Sequence, residues 1–460
     1  MEIVTSYTVT VLEQLSVSGK GKKRMFTGAD RVDDRLMRQT AGFCLGALKM
    51  CADIYLKEWD SLSSLPSSLL RRRAGDLLVH STDNNRAPYP QFDELYGYMP
   101  AYTRRSVVAD AMGMVSSYMS NLADWKEKKP AERGAQPTLG LPDRYEPAFY
   151  SQERDLCSLE KGIIGLKLYD GKAWDWHYFR VNASDARYIA RLRGKREMLS
   201  PVVEKVKGRY RIRFAFRQKQ ELVQADDPLS YTILAVDLGI NAPASWCVMD
   251  CGGTVHAKGV IHLPCDEDRL RHAVNRKRMY QREGKKPSSA CRFVTNANRK
   301  LSVDTCREVM RTAVLYDVDC IVFEHLDRAG KVKGRRYRER IHLWRAKDVQ
   351  KRVGLQAHQC GMRISRVCAW GTSRYAFNGS GEVSRGKDAG LSTYSVCRFP
   401  DGKVYNCDLS AAQNIGARYF LREYAKKEGC PEMPKTPQRT YSTLLGVAAA
   451  FAKKQETAAA

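Results

Sequence analysis

Ile233–Val236 is four apolar residues without a polar break, and it runs straight into a carboxylate, Asp237, with Gly239 close behind. A strand with no alternation has no solvent face. It must be covered on both sides, which means a sheet between layers of helix. A second stretch repeats the plan: Cys320–Phe323 forms an apolar strand that ends on Glu324. The residues before it have helical spacing, at Val303, Cys306, Val309, Met310, Ala313 and Val314. Helix followed by strand is the alternation expected around a central α/β sheet. Open sheets of this kind bind ligands outside the carboxyl ends of their strands, where both acids stand. Taken singly, each reads as a solvated strand end.

The charge of the chain narrows what such a site could meet. Over 460 residues, 77 Lys and Arg stand against 51 Asp and Glu, a formal charge of +26. A surplus of that size attracts polyanions and releases their counterions, so nucleic acid is the leading partner. The length predicts two to four domains. The 14 cysteines are scattered with no dense framework, as reduced thiols of a cytosolic protein would be. "MEIVTSYTVTVLEQ" lacks a basic leader and a cleavage site, and no apolar run approaches the ~20 residues of a membrane span. The expectation is a soluble protein of the cytoplasm.

Residues 2–13 alternate as a strand, and "GKGKKRMFTG" reads as a basic, glycine-broken exit from it. From Asp33 the pattern turns helical, with Leu36, Phe43, Ala47, Met50 and Ile54 on one face. Further helical stretches surround "LLRRRAGDLLVH" and "TRRSVVADAMGMVSSYMSNLADW". Between them "YPQFDELYGYMPAYTRR" ends in Arg104 and Arg105; such aromatics either stack bases beside phosphate-holding arginines or pack between helices. Lys126 to Pro147 is polar, Pro- and Gly-rich, and reads as a linker. In "GRYRIRFAFRQKQ", Tyr210, Ile212, Phe214 and Phe216 alternate with Arg209, Arg211, Arg213 and Arg217. Period two with one apolar and one cationic face describes a sheet packed on a core and presenting arginines to nucleic acid.

A third acid, Asp408, opens an amphipathic helix whose Ala411, Ile415 and Phe420 can pack inward. Alone it would be read as a helix cap. Three acids at the ends of core elements, brought together by the fold, would repel one another and resist desolvation. Hard divalent cations relieve that cost, and carboxylates suit Mg²⁺, with Mn²⁺ as the alternative. Two such ions about 4 Å apart clamp the attacking water and leaving oxygen of a phosphodiester. A basic protein with such a site is a nuclease candidate.

"AVDLGIN", "IVFEHLD" and "NCDLSAAQNIG" resemble, in order and spacing, the three RuvC motifs of transposon-encoded TnpB proteins and of their descendants, the type V CRISPR effectors. The last is the most specific, matching D-x-N-A-A-x-N-I with Ser410 in place of the first Asn. The resemblance is motif-level over 231–420 and weaker before it. It implies a multidomain α+β chain: a wedge β-barrel from 1–19 and 156–228, a helical recognition domain over 20–155, and an RNase H-like RuvC nuclease over 229–365. A zinc-ribbon-like lid would span 366–406, and 407–460 would complete the nuclease and carry the tail. Asp237, Glu324 and Asp408 become the catalytic acids holding two Mg²⁺ ions. A guide RNA and target DNA become the partners, cleavage following their pairing and recognition of a short flanking motif.

The family's zinc ribbon carries two C-x-x-C pairs. Here "GTSRYAFNGSG" carries, after Thr372-Ser373, Ala376 and Gly379 at the first pair's places, and Cys397 survives with Pro400 where its partner should be. No C-x-x-C occurs in the chain, so no structural zinc is expected. The basic runs 269–286 and 331–352, with Arg276, Lys277, Arg278, Arg335 and Arg336, are assigned to a nucleic-acid groove. The degenerate ribbon favours a compact CRISPR effector over TnpB. The rival readings are an RNA-guided repressor that does not cut and an RNase H-like transposase or resolvase without RNA.

Overall fold

In a computed structural model the chain divides into two compact units, Glu2–Gln218 and Lys219–Ala460 with Met1. The structure describes residues 1–18, 25–145, 161–223, 227–239, 242–326, 343–427, 443–450 and 453. Arg335 and Arg336 lie outside them, as do Cys157 and Cys430. None of the helices among the described residues is long and apolar enough to cross a membrane.

The first unit joins a helical part to an antiparallel sheet. Its elements are strands β1 (Glu2–Ser18) and β2 (Met25–Asp30), then helices α1 (Asp34–Lys57), α2 (Trp59–Ser63), α3 (Ser68–Val79), α4 (Gln91–Tyr96) and α5 (Ala101–Glu127). Strands β3 (Ile163–Tyr169) and β4 (Trp174–Val181), helix α6 (Ala183–Arg193), and strands β5 (Glu197–Met198), β6 (Val202–Val206) and β7 (Arg209–Lys219) follow. The sheet runs β3-β4-β1-β7-β5, with β2 on β1 and β6 on β7. Strand β2 occupies part of the segment expected to be a glycine-broken exit. All six of its residues are exposed, so no amphipathic period could mark it, and its order comes from pairing with β1.

Strand β7 has the expected period of two. Ile212, Phe214 and Phe216 are wholly buried, Arg209 and Arg213 are exposed, and Arg211 is half-buried. The β6–β7 hairpin turns on Lys207 and Gly208, both at positive φ (51° and 79°), the tight turn whose twist matches paired strands. Helix α1 begins at Asp33, whose side chain accepts from the Arg35 amide at 2.8 Å. Asp34 then ties the helix to the sheet: it takes the Tyr210 hydroxyl at 2.5 Å and pairs with Lys205, and these partners hold its carboxyl down to about 2. A separate core of Cys44, Leu48, Tyr55, Phe92, Val107 and Ala111 sits among α1, α4 and α5.

The second unit is a five-stranded sheet with helices on both faces. Strands β8 (Ile233–Asp237), β9 (Ala244–Met249) and β10 (Val255–Ile261) lead to helices α7 (Pro264–Arg282) and α8 (Ser288–Leu315) and strand β11 (Cys320–His325). Helix α9 (Ala346–Gln359) and strand β12 (Arg363–Cys368) precede a small three-stranded sheet of β13 (Ser384–Arg385), β14 (Val396–Arg398) and β15 (Val404–Asn406), then helix α10 (Cys407–Lys427). The main order is β10-β9-β8-β11-β12, antiparallel through β8 and parallel from β8 to β12.

Both faces of β8 are buried, which is why it shows no alternation. Leu234 and Val236 face a core with Val309, Ala313, Val349 and Val353 of α8 and α9. Ile233 and Ala235 face the opposite core with Ala412, Ile415 and Phe420 of α10. Gly416 lets α10 approach closely, since a Cβ there would overlap the Met249 sulfur and lie 3.2 Å from the Ala235 methyl.

Candidate active site

Parallel pairing sets Val236 against Phe323, so Asp237 and Glu324 emerge together at the carboxyl ends of neighbouring strands. The turn after β8 needs glycine, because a Cβ on Gly239 would come within 2.6 Å of the Ala242 carbonyl oxygen. Asp408 arrives from the first turn of α10. It is not the cap: the Asn406 side chain accepts from the amides of Asp408 (2.9 Å) and Leu409 (3.0 Å), the work first ascribed to the acid. Asp408 is thereby free to present its carboxylate.

All three acids are half-buried. Desolvation raises Asp237 well above the usual carboxylate range, and the charges of Glu324 and Asp408 raise it further. Burial also raises Glu324, opposed by a hydrogen bond from Thr372 and the charge of Arg418. Asp408 is raised by burial and opposed by Arg385. The acids therefore lie within electrostatic reach of one another. Their donors are the hard oxygens Mg²⁺ takes, and their raised affinity for protons marks a charge deficit that a cation would fill. The chemistry fits. Among the described residues, however, no group of three or more His, Cys, Asp or Glu side chains closes around a single point to hold an ion.

Several residues shape this corner that the single acids did not reveal. The Thr372 hydroxyl donates to Glu324 Oε1 and the Gln350 amide to the Glu324 carbonyl at 2.9 Å. Buried Asn414 donates to the carbonyls of Thr372 (2.8 Å) and Tyr375 (2.9 Å), pinning the turn that carries Thr372. Ser410 accepts from the Phe377 amide at 3.1 Å. Arg418 donates through Nη1 to the Cys368 carbonyl at 2.6 Å, while its buried Nη2 has no partner. Asn414 stands in the D-x-N-A-A-x-N-I motif and Thr372 was singled out in sequence. Arg385 and Arg418 carried no signal, because only the fold brings them near the acids.

The small sheet is held by apolar packing. Phe377, Phe399 and Tyr405 form an aromatic cluster over Ala376, Cys397 and Cys407. Cys397 Sγ donates to the Tyr405 carbonyl and Cys407 Sγ to the Tyr394 carbonyl, each at 3.5 Å. Cys360 and Cys368 are exposed on other elements.

Among the other expected contacts, Arg276 and Arg278 are exposed on α7 and Lys277 is half-buried. Arg105 is exposed and lies over the Tyr102 ring. Arg104 requires correction. It is 6% exposed, with Nε 3.1 Å from Asp76 Oδ1, so it ties α5 to α3 and is not available to a phosphate. Phe92 and Tyr96 of the same aromatic segment pack within the helical core; Tyr98 and Tyr102 remain exposed.

A family model described as the Aq_aa04 family matches residues 27–170. The protein aq_aa04 of Aquifex aeolicus (strain VF5) is 33% identical over 158 residues, 33% of this chain and 84% of that protein. The chain belongs to the Aq_aa04 family. The Aq_aa04 segment takes in β2, the helices α1–α5 and β3, so the family relationship rests on the first unit. In three dimensions this chain is similar to the effector in the Cas12f1–sgRNA–target DNA complex. The TM-score is 0.50 at 12% identity, covering 97% of this chain and 99% of that one. It is similar also to the mini-RNA-guided endonuclease CRISPR-Cas_phi3, with TM-score 0.50 and 11% identity, covering 91% and 92%. The mixed α/β fold of these compact effectors is thus shared along almost the entire chain.

Proposed function

We propose that this protein is an RNA-guided, metal-dependent DNA endonuclease with a single RuvC site, of the compact type V kind in preference to TnpB. The observation that carries the reading is the convergence of Asp237, Glu324 and Asp408 from two strand ends and a helix start. The shared fold of two RNA-guided effectors supports it. Asp237, Glu324 and Asp408 would hold two Mg²⁺ ions, with Mn²⁺ as substitute, and bound ions supply an activated water and a counter-charge for the leaving oxygen. The chain's own residues do the rest. Thr372 and Gln350 orient Glu324, Asn406 frees Asp408 from capping, and Asn414 holds the Thr372 turn. Arg385, whose charge reaches both Asp237 and Asp408, would offset the charge of a phosphate bound at the acids.

Guide RNA and target DNA are the proposed partners, with phosphates taken by Arg209, Arg211 and Arg213 on β7 and by Arg276, Lys277 and Arg278 on α7. The proposed setting is the cytoplasm of a prokaryote. A guided binder that does not cut is the second reading. It is favoured by one observation, that among the described residues no three His, Cys, Asp or Glu side chains form a group that could hold an ion. The test is purification of the full chain with its copurifying RNA, followed by cleavage of a matched duplex in Mg²⁺. A defined RNA near stoichiometry and cutting lost in Asp237→Ala are expected. RNA without cutting selects the second reading; absence of RNA overturns both.

A further inference from the structure

Past the end of β8 lies a cavity of about 410 Å³, of whose lining only Arg278 has been given a phosphate above. Its floor is Leu238 and Gly239, the two residues that follow Asp237 in the chain, with Leu238 on the face of the sheet that packs against α8 and α9. Leu270 and Val274 of α7, Leu301 of α8, and Trp344 and Val349 at the start of α9 supply apolar wall, with Asn298, Ser302 and Thr305 of α8 between them. Its rim is cationic, with Arg271, Arg278 and Arg345. The volume falls within the roughly 300–1,000 Å³ of small-ligand sites.

We propose that this cavity takes one nucleobase, turned out of a single strand that runs toward the three acids. The inference rests on the nucleic-acid reading above and names the subsite that orients the strand. Three features select this occupant. A hydrated sugar–phosphate backbone gains nothing from walls of Leu, Val and Trp, whereas a flat heterocycle buries its faces there and stacks. The attached phosphate then falls among the arginines at the rim. Arg271 makes a surface pair with Asp268 at 3.3 Å and Arg345 one with Asp348 at 3.9 Å, contacts a phosphate displaces at little cost. Glu267, an acid in the lining, accepts from the Leu263 amide at 3.1 Å in the first turn of α7, where the helix terminus offsets part of its charge, and three arginines outnumber it at the rim. The exposed Asn275 amide supplies a donor and an acceptor for the base edge. Turning a base out costs least in a strand that is already single, and the gain is a fixed register of the phosphodiester beside the acids.

The test is photocrosslinking of the full-length protein to an oligothymidylate with 4-thiothymidine at successive positions, followed by peptide mapping. Crosslinks on α7, α8 and Trp344 are expected. Leu270→Trp, which fills the cavity, should lower their yield at least fivefold. Asn275→Trp at the exposed rim should do the same without risk to the core. Arg271→Gln with Arg278→Gln should flatten the salt dependence of oligonucleotide binding by about 1.4 in log–log slope, two contacts at roughly 0.7 each. Crosslinks confined to other elements, or yields unmoved by both tryptophans, overturn the proposal. So does displacement of the crosslink by free thymidine monophosphate at micromolar concentration, which would make the occupant a free nucleotide. Crosslinks here in a protein that carries no RNA and cuts nothing would sink the nuclease reading while the cavity assignment stood. Guided cutting with crosslinks elsewhere would do the reverse.

Discussion

Replacing Asn414 by Ala removes a residue that touches no substrate in the proposed reaction and should still be among the most damaging changes in the second unit. Its side chain is 2% exposed and donates at 2.8 and 2.9 Å to the carbonyls of Thr372 and Tyr375. Both receiving residues are themselves buried, so water cannot take over. Each orphaned buried carbonyl costs about 1–3 kcal/mol, which puts the loss of two at roughly 2–6 kcal/mol. For a domain of 150–250 residues each kcal/mol lowers Tm by about 2–4 °C, so a fall on the order of 4–24 °C follows. Differential scanning calorimetry of the full chain reads it directly. Asn414→Asp keeps the volume but turns an acceptor toward two acceptors, and should lose at least as much. Because the Thr372 turn carries the donor to Glu324, nuclease activity should also fall at temperatures where the variant is fully folded. A Tm shift under about 1 °C for Asn414→Ala would refute the clamp.

Asp237 binds its proton more tightly folded than unfolded, so its ionisation costs stability. That cost is absent below about pH 4, where both states are protonated, and grows as pH rises toward the raised folded value. Asp237→Asn should therefore raise Tm at pH 8 and lose that gain near pH 3; a gain independent of pH refutes it. Mg²⁺ must displace the same proton, so titration calorimetry should show its affinity rising with pH until the folded Asp237 is ionised. Arg104→Met leaves Asp76 without its partner and should cost about 3 kcal/mol with RNA affinity unchanged, as gel shift and melting would show. Arg211→Gln with Arg213→Gln should weaken RNA binding and flatten its salt slope at little cost in Tm, whereas Phe214→Ala should cost roughly 3–5 kcal/mol; an unchanged salt slope places the RNA elsewhere. Elemental analysis should find no stoichiometric zinc, and about one zinc per chain would point to ligands gathered from outside the missing C-x-x-C pairs.

What the sequence determined by itself were the features written in local pattern. The unbroken apolar run of Ile233–Val236 required cover on both faces, and the structure provides two cores for it. The alternation of β7 was legible because its period of two separates buried from solvated side chains. The positions of three acids at element ends were legible for the same reason, since a lone carboxylate after a core element interrupts the pattern. Tertiary structure decided what depends on residues far apart in the chain. Strand β2 has no period and exists through its partner. Arg104 and Arg105 are adjacent and indistinguishable in composition, yet helix geometry turns one into the bundle toward Asp76 and the other toward solvent. Asn406 and Asp408 are both competent caps, and only the backbone at the start of α10 selects the first. The charges that act on the acids come from Arg385 on a short strand and Arg418 more than two turns along α10. Coulomb interactions depend on distance in space, and sequence separation carries no record of it.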